Sequence, residues 1–134
     1  MEPTLPSASR LTASAPVLLV RDLVPAANYY RDCLGFHYDH LWGQPPDFVI
    51  LERDQIHVML HQPHESHALL PHWRISPGMW NAYFWVTDAD ALCAEFRAKG
   101  ARIDYEPHDK PYGVREFGVQ DLDGHDLGFG QLLR

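Results

Sequence analysis

Ala15-Pro16-Val17-Leu18-Leu19-Val20-Arg21-Asp22 is a short apolar strand ending at an aspartate. It leads into Tyr29-Tyr30-Arg31-Asp32-Cys33-Leu34-Gly35-Phe36, a helix that stops at glycine. About 66 residues later the pattern returns as Asn81-Ala82-Tyr83-Phe84-Trp85-Val86-Thr87-Asp88, followed by Leu92-Cys93-Ala94-Glu95-Phe96-Arg97-Ala98-Lys99-Gly100. A half-domain written twice constrains the fold more than any local propensity does. Two equivalent halves also share a surface where they meet, a natural place for a ligand.

The residues around each copy extend the pattern. In the first, Asp22 is a candidate helix cap, Pro25 suits the first turn, and Tyr30 and Leu34 lie on one face. Residues 36–42 read as a strand, 43–47 as a Gly-Pro turn, and 48–52 with 56–61 as a hairpin about Arg53-Asp54-Gln55. In the second, a helix over 88–99 repeats the four-residue spacing with Leu92 and Phe96. Strands follow at 101–105, 114–120 and 125–131, with a turn-rich loop over 106–113 and a turn at Asp121-Leu122-Asp123-Gly124. Each half therefore reads βαβββ. The expected organisation is a flexible arm over 1–13, a first module over 14–62, a connector over 63–79 and a second module over 80–134. Residues 14–134 form one domain.

Composition narrows the function classes. The chain has 134 residues, 46% hydrophobic and 22% charged, which describes a folded domain and not a disordered one. A net charge of −7 disfavours a nucleic-acid partner and favours cationic or metal-bearing small molecules. No apolar run reaches the roughly 20 residues needed to span a bilayer, so no membrane partner is expected. The first residues lack the charged and apolar regions of a secretory signal, and Cys33 and Cys93 each fall within a helix as packing residues. A cytoplasmic location follows. The sequence carries no glycine-rich phosphate loop, paired-cysteine zinc motif or nucleophile elbow.

Three motifs carry a family resemblance: Val20-Arg21-Asp22-Leu23, Tyr30-Arg31-Asp32-Cys33-Leu34-Gly35-Phe36 and Asp121-Leu122-Asp123-Gly124. In this order they resemble the vicinal oxygen chelate superfamily of glyoxalases, bleomycin-resistance proteins and extradiol dioxygenases. The segment Pro111-Tyr112-Gly113-Val114-Arg115-Glu116-Phe117-Gly118-Val119 is similar to the bleomycin-resistance-like branch. The resemblance implies an α+β fold in which two βαβββ modules form an eight-stranded open, U-shaped mixed sheet, commonly completed across a homodimer. Metal-dependent members carry a ligand on the first and last strand of each module. By counting from the motifs, those places here hold Ala15, His57, Asn81 and Gly128. Ala and Gly offer no side-chain donor, and a neutral amide is a weak ligand for zinc or iron. The expectation is therefore binding without a metal cofactor. The alternative is a metal-dependent lyase, isomerase or dioxygenase with an atypical ligand set, built on His57 with His61 or with the connector histidines His64, His67 and His72.

Strand alternation supplies the binding candidates. His57, Met59 and His61 share one sheet face, and Asn81, Tyr83 and Trp85 share another. Tyr38 and Trp42 are placed to form a wall. By the resemblance, Tyr112 stands where related proteins often stack an aromatic ring on their ligand. His57 either serves a ligand as an acid/base or hydrogen-bond donor or pairs with a backbone group or water, and Arg115 either meets an anionic ligand group or pairs with Glu116 or another nearby carboxylate. Flat rings suit planar heterocycles at small entropic cost. These residues describe a small-molecule binding protein that sequesters a planar or cationic ligand.

Overall fold

The repeated strand–helix pattern folds as two βαβββ modules in the computed structural model, which describes residues 9–65 and 68–134. The first contains β1 (Val17–Leu19), α1 (Leu23–Leu34), β2 (Leu41–Trp42), β3 (Phe48–Arg53) and β4 (Ile56–His61). A short helix, α2 (His72–Ile75), lies in the connector. The second contains β5 (Ala82–Trp85), α3 (Ala89–Ala98), β6 (Arg102–Lys110), β7 (Val114–Gln120) and β8 (Asp126–Leu132). The eight strands divide into two open four-stranded sheets, ordered β1-β4-β3-β2 and β5-β8-β7-β6. Each is mixed, because its first strand runs parallel to its last while the other pairs are antiparallel.

The duplication extends to the way each helix begins. Gln62, just after β4, accepts the backbone N–H of Leu23 at 2.8 Å. Gln131, in β8, accepts that of Ala89 at 2.9 Å. Each module thus caps its helix from its own last strand, satisfying a donor the helix cannot pair internally. Asp88 adds a side-chain cap to Ala91 N–H at 3.0 Å, whereas the expected cap from Asp22 makes no such bond.

Three local expectations need correction. The strand expected over 36–42 shrinks to Leu41–Trp42 plus an isolated bridge between His37 and Glu52. There the Tyr38 hydroxyl donates to Asn28 and His37 pairs with Asp39, so local partners draw the segment off the ladder. The loop expected over 106–113 is instead a continuation of β6 to Lys110. Pro107 is tolerated because β6 is an edge strand with register shifts beside it. The aperiodic connector contains α2. Of the expected N-terminal arm, residues 9–13 are exposed and lack regular structure, and its first eight residues lie outside the described ones.

Alternation fixes which sheet faces are buried. Leu18, Val49, Leu51, Val58 and Leu60 pack from the first sheet, and Phe117, Val119, Leu127 and Phe129 from the second, into one core with α1 and α3. Phe117 and Phe129 stack at 5.1 Å between ring centroids, with Phe96 of α3 edge-on to both. Polar contacts lock the modules together around this core. Arg53 of the β3–β4 hairpin makes two bonds to Glu95 of α3, at 2.7 and 3.0 Å, which hold the Glu95 carboxyl down at about 2.

The Asp121-Leu122-Asp123-Gly124 turn docks on the first module. Asp121 accepts the Tyr30 hydroxyl at 2.7 Å, and Asp123 takes the Arg21 backbone N–H and guanidinium. Burial raises the Asp121 carboxyl above its usual range and pushes the Tyr30 phenol well up. Tyr30→Phe leaves a buried carboxyl oxygen without its donor. The expected loss is about 1–3 kcal/mol of stability, read from the midpoint of a urea unfolding curve.

Candidate functional site

With one face of each sheet committed to the core, the other face of each is turned away from its helix. In the first module the pairing register puts Val17, Met59 and Ile50 in one row and Leu19, His61 and Phe48 in the next. Trp42 continues the second row, 6.0 Å from Phe48 between ring centroids. His57 sits opposite Glu52 on this face, its Nε2 3.7 Å from the carboxylate. The face is an apolar sheet with an imidazole edge. Trp42 remains 44% exposed and Val17 59%, so among the described residues this apolar surface stays open.

The open face of the second module is more elaborate. Its floor is glycine: Gly118 pairs with Gly128, and Glu116 with Gly130. Aromatic rings lie directly on that floor. A Cβ at Gly128 would stand 2.6 Å from Tyr83 and 2.7 Å from Trp80, and one at Gly118 would collide with the Tyr105 ring. Trp80, Tyr83 and Trp85 follow edge to face, with centroids 4.6 and 5.0 Å apart.

These rings converge on Glu116, which is 1% exposed. Tyr83 and Tyr112 donate to Oε1 at 2.8 and 2.7 Å, and Tyr105 donates to Oε2 at 2.6 Å. Trp80 in turn donates its indole N–H to the Tyr105 hydroxyl at 2.9 Å. Burial, reinforced by the bond to Glu116, raises all three phenols, Tyr112 to about 12, so each stays a protonated donor. Asp126 lies on the same face, 4% exposed, and its Oδ1 has no hydrogen-bond partner among the described residues. Burial first, then the neighbouring Asp104, raises its carboxyl to about 7.

The structure separates the residues expected at the site. Trp42, His57 and Met59 lie on the first open face; Tyr83, Trp85 and Tyr112 belong to the second. Asn81 precedes β5, but its Oδ1 accepts the His72 backbone N–H at 3.1 Å, which ties it to the connector. Two residues do not come to either face. Tyr38 packs against the core on the helix side, with its hydroxyl on Asn28. Arg115 alternates away from Glu116 and is clamped by Asp90 at 2.9 and 3.0 Å and by Asp109 at 2.9 Å, the bridging role that its sequence left open.

Sequence reasoning passed over Glu116, Trp80 and Tyr105. A signal was present: Phe117 is an evident core residue, and alternation then puts Glu116 on the opposite face of an apolar strand, where it requires partners.

The four places at which metal-dependent relatives of this fold carry ligands do not make a metal site here. Ala15 has no donor, Asn81 is engaged by the connector, and the space a Gly128 side chain would need is filled by Trp80 and Tyr83. Among the described residues, His57 has Glu52 as its ionic neighbour, at 3.7 Å. Of the alternative histidine set, His61 and His64 stand 6.4 Å apart between ring centroids, but His64 pairs with Asp47 at 2.7 Å and His72 turns away to the Trp80 carbonyl. His67 lies outside the described residues. Among the described residues, no three His, Cys, Asp or Glu side chains are placed to hold a metal ion.

A separate groove of about 620 Å³ runs between the modules, lined by Ile56, Phe84, Trp85, Leu92 and Phe96 with Arg53 and Glu95 at its side. Among the described residues, no helix is long and apolar enough to cross a membrane.

Solved structures share this architecture. The bleomycin-binding protein from bleomycin-producing Streptomyces verticillus, complexed with copper(II)-bleomycin, is 25% identical with a TM-score of 0.67, over 90% of this chain and 96% of that one. TnmS3, an antibiotic-binding protein from Streptomyces sp. CB03234, is 19% identical with a TM-score of 0.67, over 92% and 98%. A glyoxalase-related enzyme from Clostridium phytofermentans is 15% identical with a TM-score of 0.73, over 95% and 99%. No curated protein matches the chain at a significant level. The model of the Glyoxalase/Bleomycin resistance protein/Dioxygenase superfamily matches residues 12–129. With its paired βαβββ modules and that match along nearly its whole length, the chain belongs to the glyoxalase/bleomycin resistance protein/dioxygenase superfamily.

Proposed function

We propose that this chain is a small-molecule binding protein that sequesters a planar or cationic ligand in an aromatic-lined cleft, without a metal. The observation that carries this reading is the second open face, where aromatic rings lie on a glycine floor and are hung from Glu116. Rings held in place before a ligand arrives lose little freedom on binding, and their flat faces suit stacking. Enclosure needs a second wall. The apolar face bearing Trp42, Ile50 and Met59 can supply it from another copy of the chain, so the functional unit is a homodimer with two clefts. The bleomycin-binding protein gives the reading a ligand-bearing counterpart of the same fold. Two free cysteines fit a reducing, cytoplasmic setting, and a charge of −7 fits a small ligand better than nucleic acid.

Calorimetric titration of chelator-treated protein with metal-free bleomycin tests the reading. Saturable binding at one ligand per chain, unchanged by excess EDTA, is the expected result. Uptake of one equivalent of a divalent metal by the ligand-free, chelator-treated protein, lost in His57→Ala, would refute it.

A further inference from the structure

The two open faces differ in charge as well as in shape. The first is apolar with imidazoles at its edge, whereas three rings of the second, those of Tyr83, Tyr105 and Tyr112, are bonded to an acid. Glu116 is buried beneath Tyr83, Tyr105 and Tyr112 and takes a phenol hydrogen bond from each. Donors surround the carboxylate, yet none of the three is a cation, and Arg115 next in sequence is held on the other face by Asp90 and Asp109. Neutral donors stabilise an anion without cancelling its field, so the charge is still felt above the rings. The protein's own chain already answers this field: the Lys110 ammonium stands over the Tyr105 ring, 5.7 Å from its centroid.

We infer that the second open face is an organic-cation cage that selects an alkyl- or arylammonium group over a neutral group of the same shape, with Glu116 as the specificity-determining residue beneath the rings. This rests on the reading of that face as the ligand site and names the chemistry it prefers. Aromatic faces attract cations through their quadrupole, and a desolvated anion behind them strengthens that attraction. Lys110 then acts as an internal competitor that an incoming ammonium displaces.

The test uses two probes of one shape, phenyltrimethylammonium and tert-butylbenzene, titrated against the intrinsic tryptophan fluorescence of the full chain. The wild-type protein should bind the cation about tenfold or more tightly than the hydrocarbon. Glu116→Gln should bring that ratio close to one. Lys110→Met should move the ratio the other way, upward. Should Glu116→Gln fail to fold, as judged by circular dichroism, the Lys110 variant and the wild-type ratio decide. Equal affinities in the wild-type protein, or a ratio that Lys110→Met leaves unchanged, would overturn the inference while leaving an aromatic binding site in place. Absence of saturable quenching by either probe would overturn the cage and the sequestration reading together.

Discussion

Gly118→Val is expected to cost the second open face its ligand affinity while the chain still folds. A Cβ at position 118 collides with the Tyr105 ring, whose Cδ1 would lie 2.7 Å away. Valine adds two methyl groups to that collision. Tyr105 must leave its place, and with it go the 2.6 Å bond to Glu116 and the partner of the Trp80 indole. Affinity for an aromatic ligand should fall at least about tenfold, corresponding to roughly 1.4 kcal/mol. Because the ring sits on an open face and not in the shared core, the stability cost should stay near the range for overpacking, about 1–3 kcal/mol. Titration of the variant beside a urea unfolding curve separates the two effects. Tyr105→Phe removes only the hydroxyl and should weaken binding less.

Asp126→Asn should stabilise the protein at neutral pH, an unusual outcome for a change at a buried polar residue. Burial and the adjacent Asp104 raise the Asp126 carboxyl to about 7 in the folded chain. In the unfolded chain an aspartate ionises near the ordinary value of about 4. Between these values the folded state holds a proton that the unfolded state has released, so stability falls as pH rises from about 4 to 7 and levels off above. Asparagine has no such proton to lose. The variant should therefore gain about 1–3 kcal/mol at pH 8 and almost nothing at pH 4. Thermal unfolding of both proteins at these two pH values reads the difference, and an equal shift at both would point to packing instead.

Much of this fold is legible from the chain, because its strongest signals are local and are written twice. The strands ending at Asp22 and Asp88, the helices stopping at Gly35 and Gly100, and the Asp121–Gly124 turn each depend on neighbours a few residues away. The places where local reading falters are those decided at a distance. Pro107 suggests a loop until β6 is known to be an edge strand, and Asp22 looks like a cap until Gln62 arrives from the end of β4 to meet Leu23.

The candidate site divides in the same way. Alternation alone places Tyr83 and Trp85 together, as it does His57 and Met59. The tie among Tyr83, Tyr105, Tyr112 and Glu116 depends on the β5-β8-β7-β6 order, which no window of sequence contains. Arg115 is attractive as a ligand contact when only its neighbours are read. Two aspartates on α3 and β6 give it a structural role.

The four tryptophans of the chain offer the most direct test of where a ligand binds. Trp42 lies on the first open face, and Trp80 and Trp85 belong to the second. Trp73 donates its indole N–H to the Gly124 carbonyl at the junction between the modules. In a nitrogen–proton correlation spectrum of labelled protein, titration with phenyltrimethylammonium and then with metal-free bleomycin should move the indole signals of Trp80 and Trp85. The larger ligand should also move Trp42, and Trp73 should stay in place. Shifts confined to Trp73, or to Trp85 beside the inter-module groove, would contradict a ligand site on the open faces.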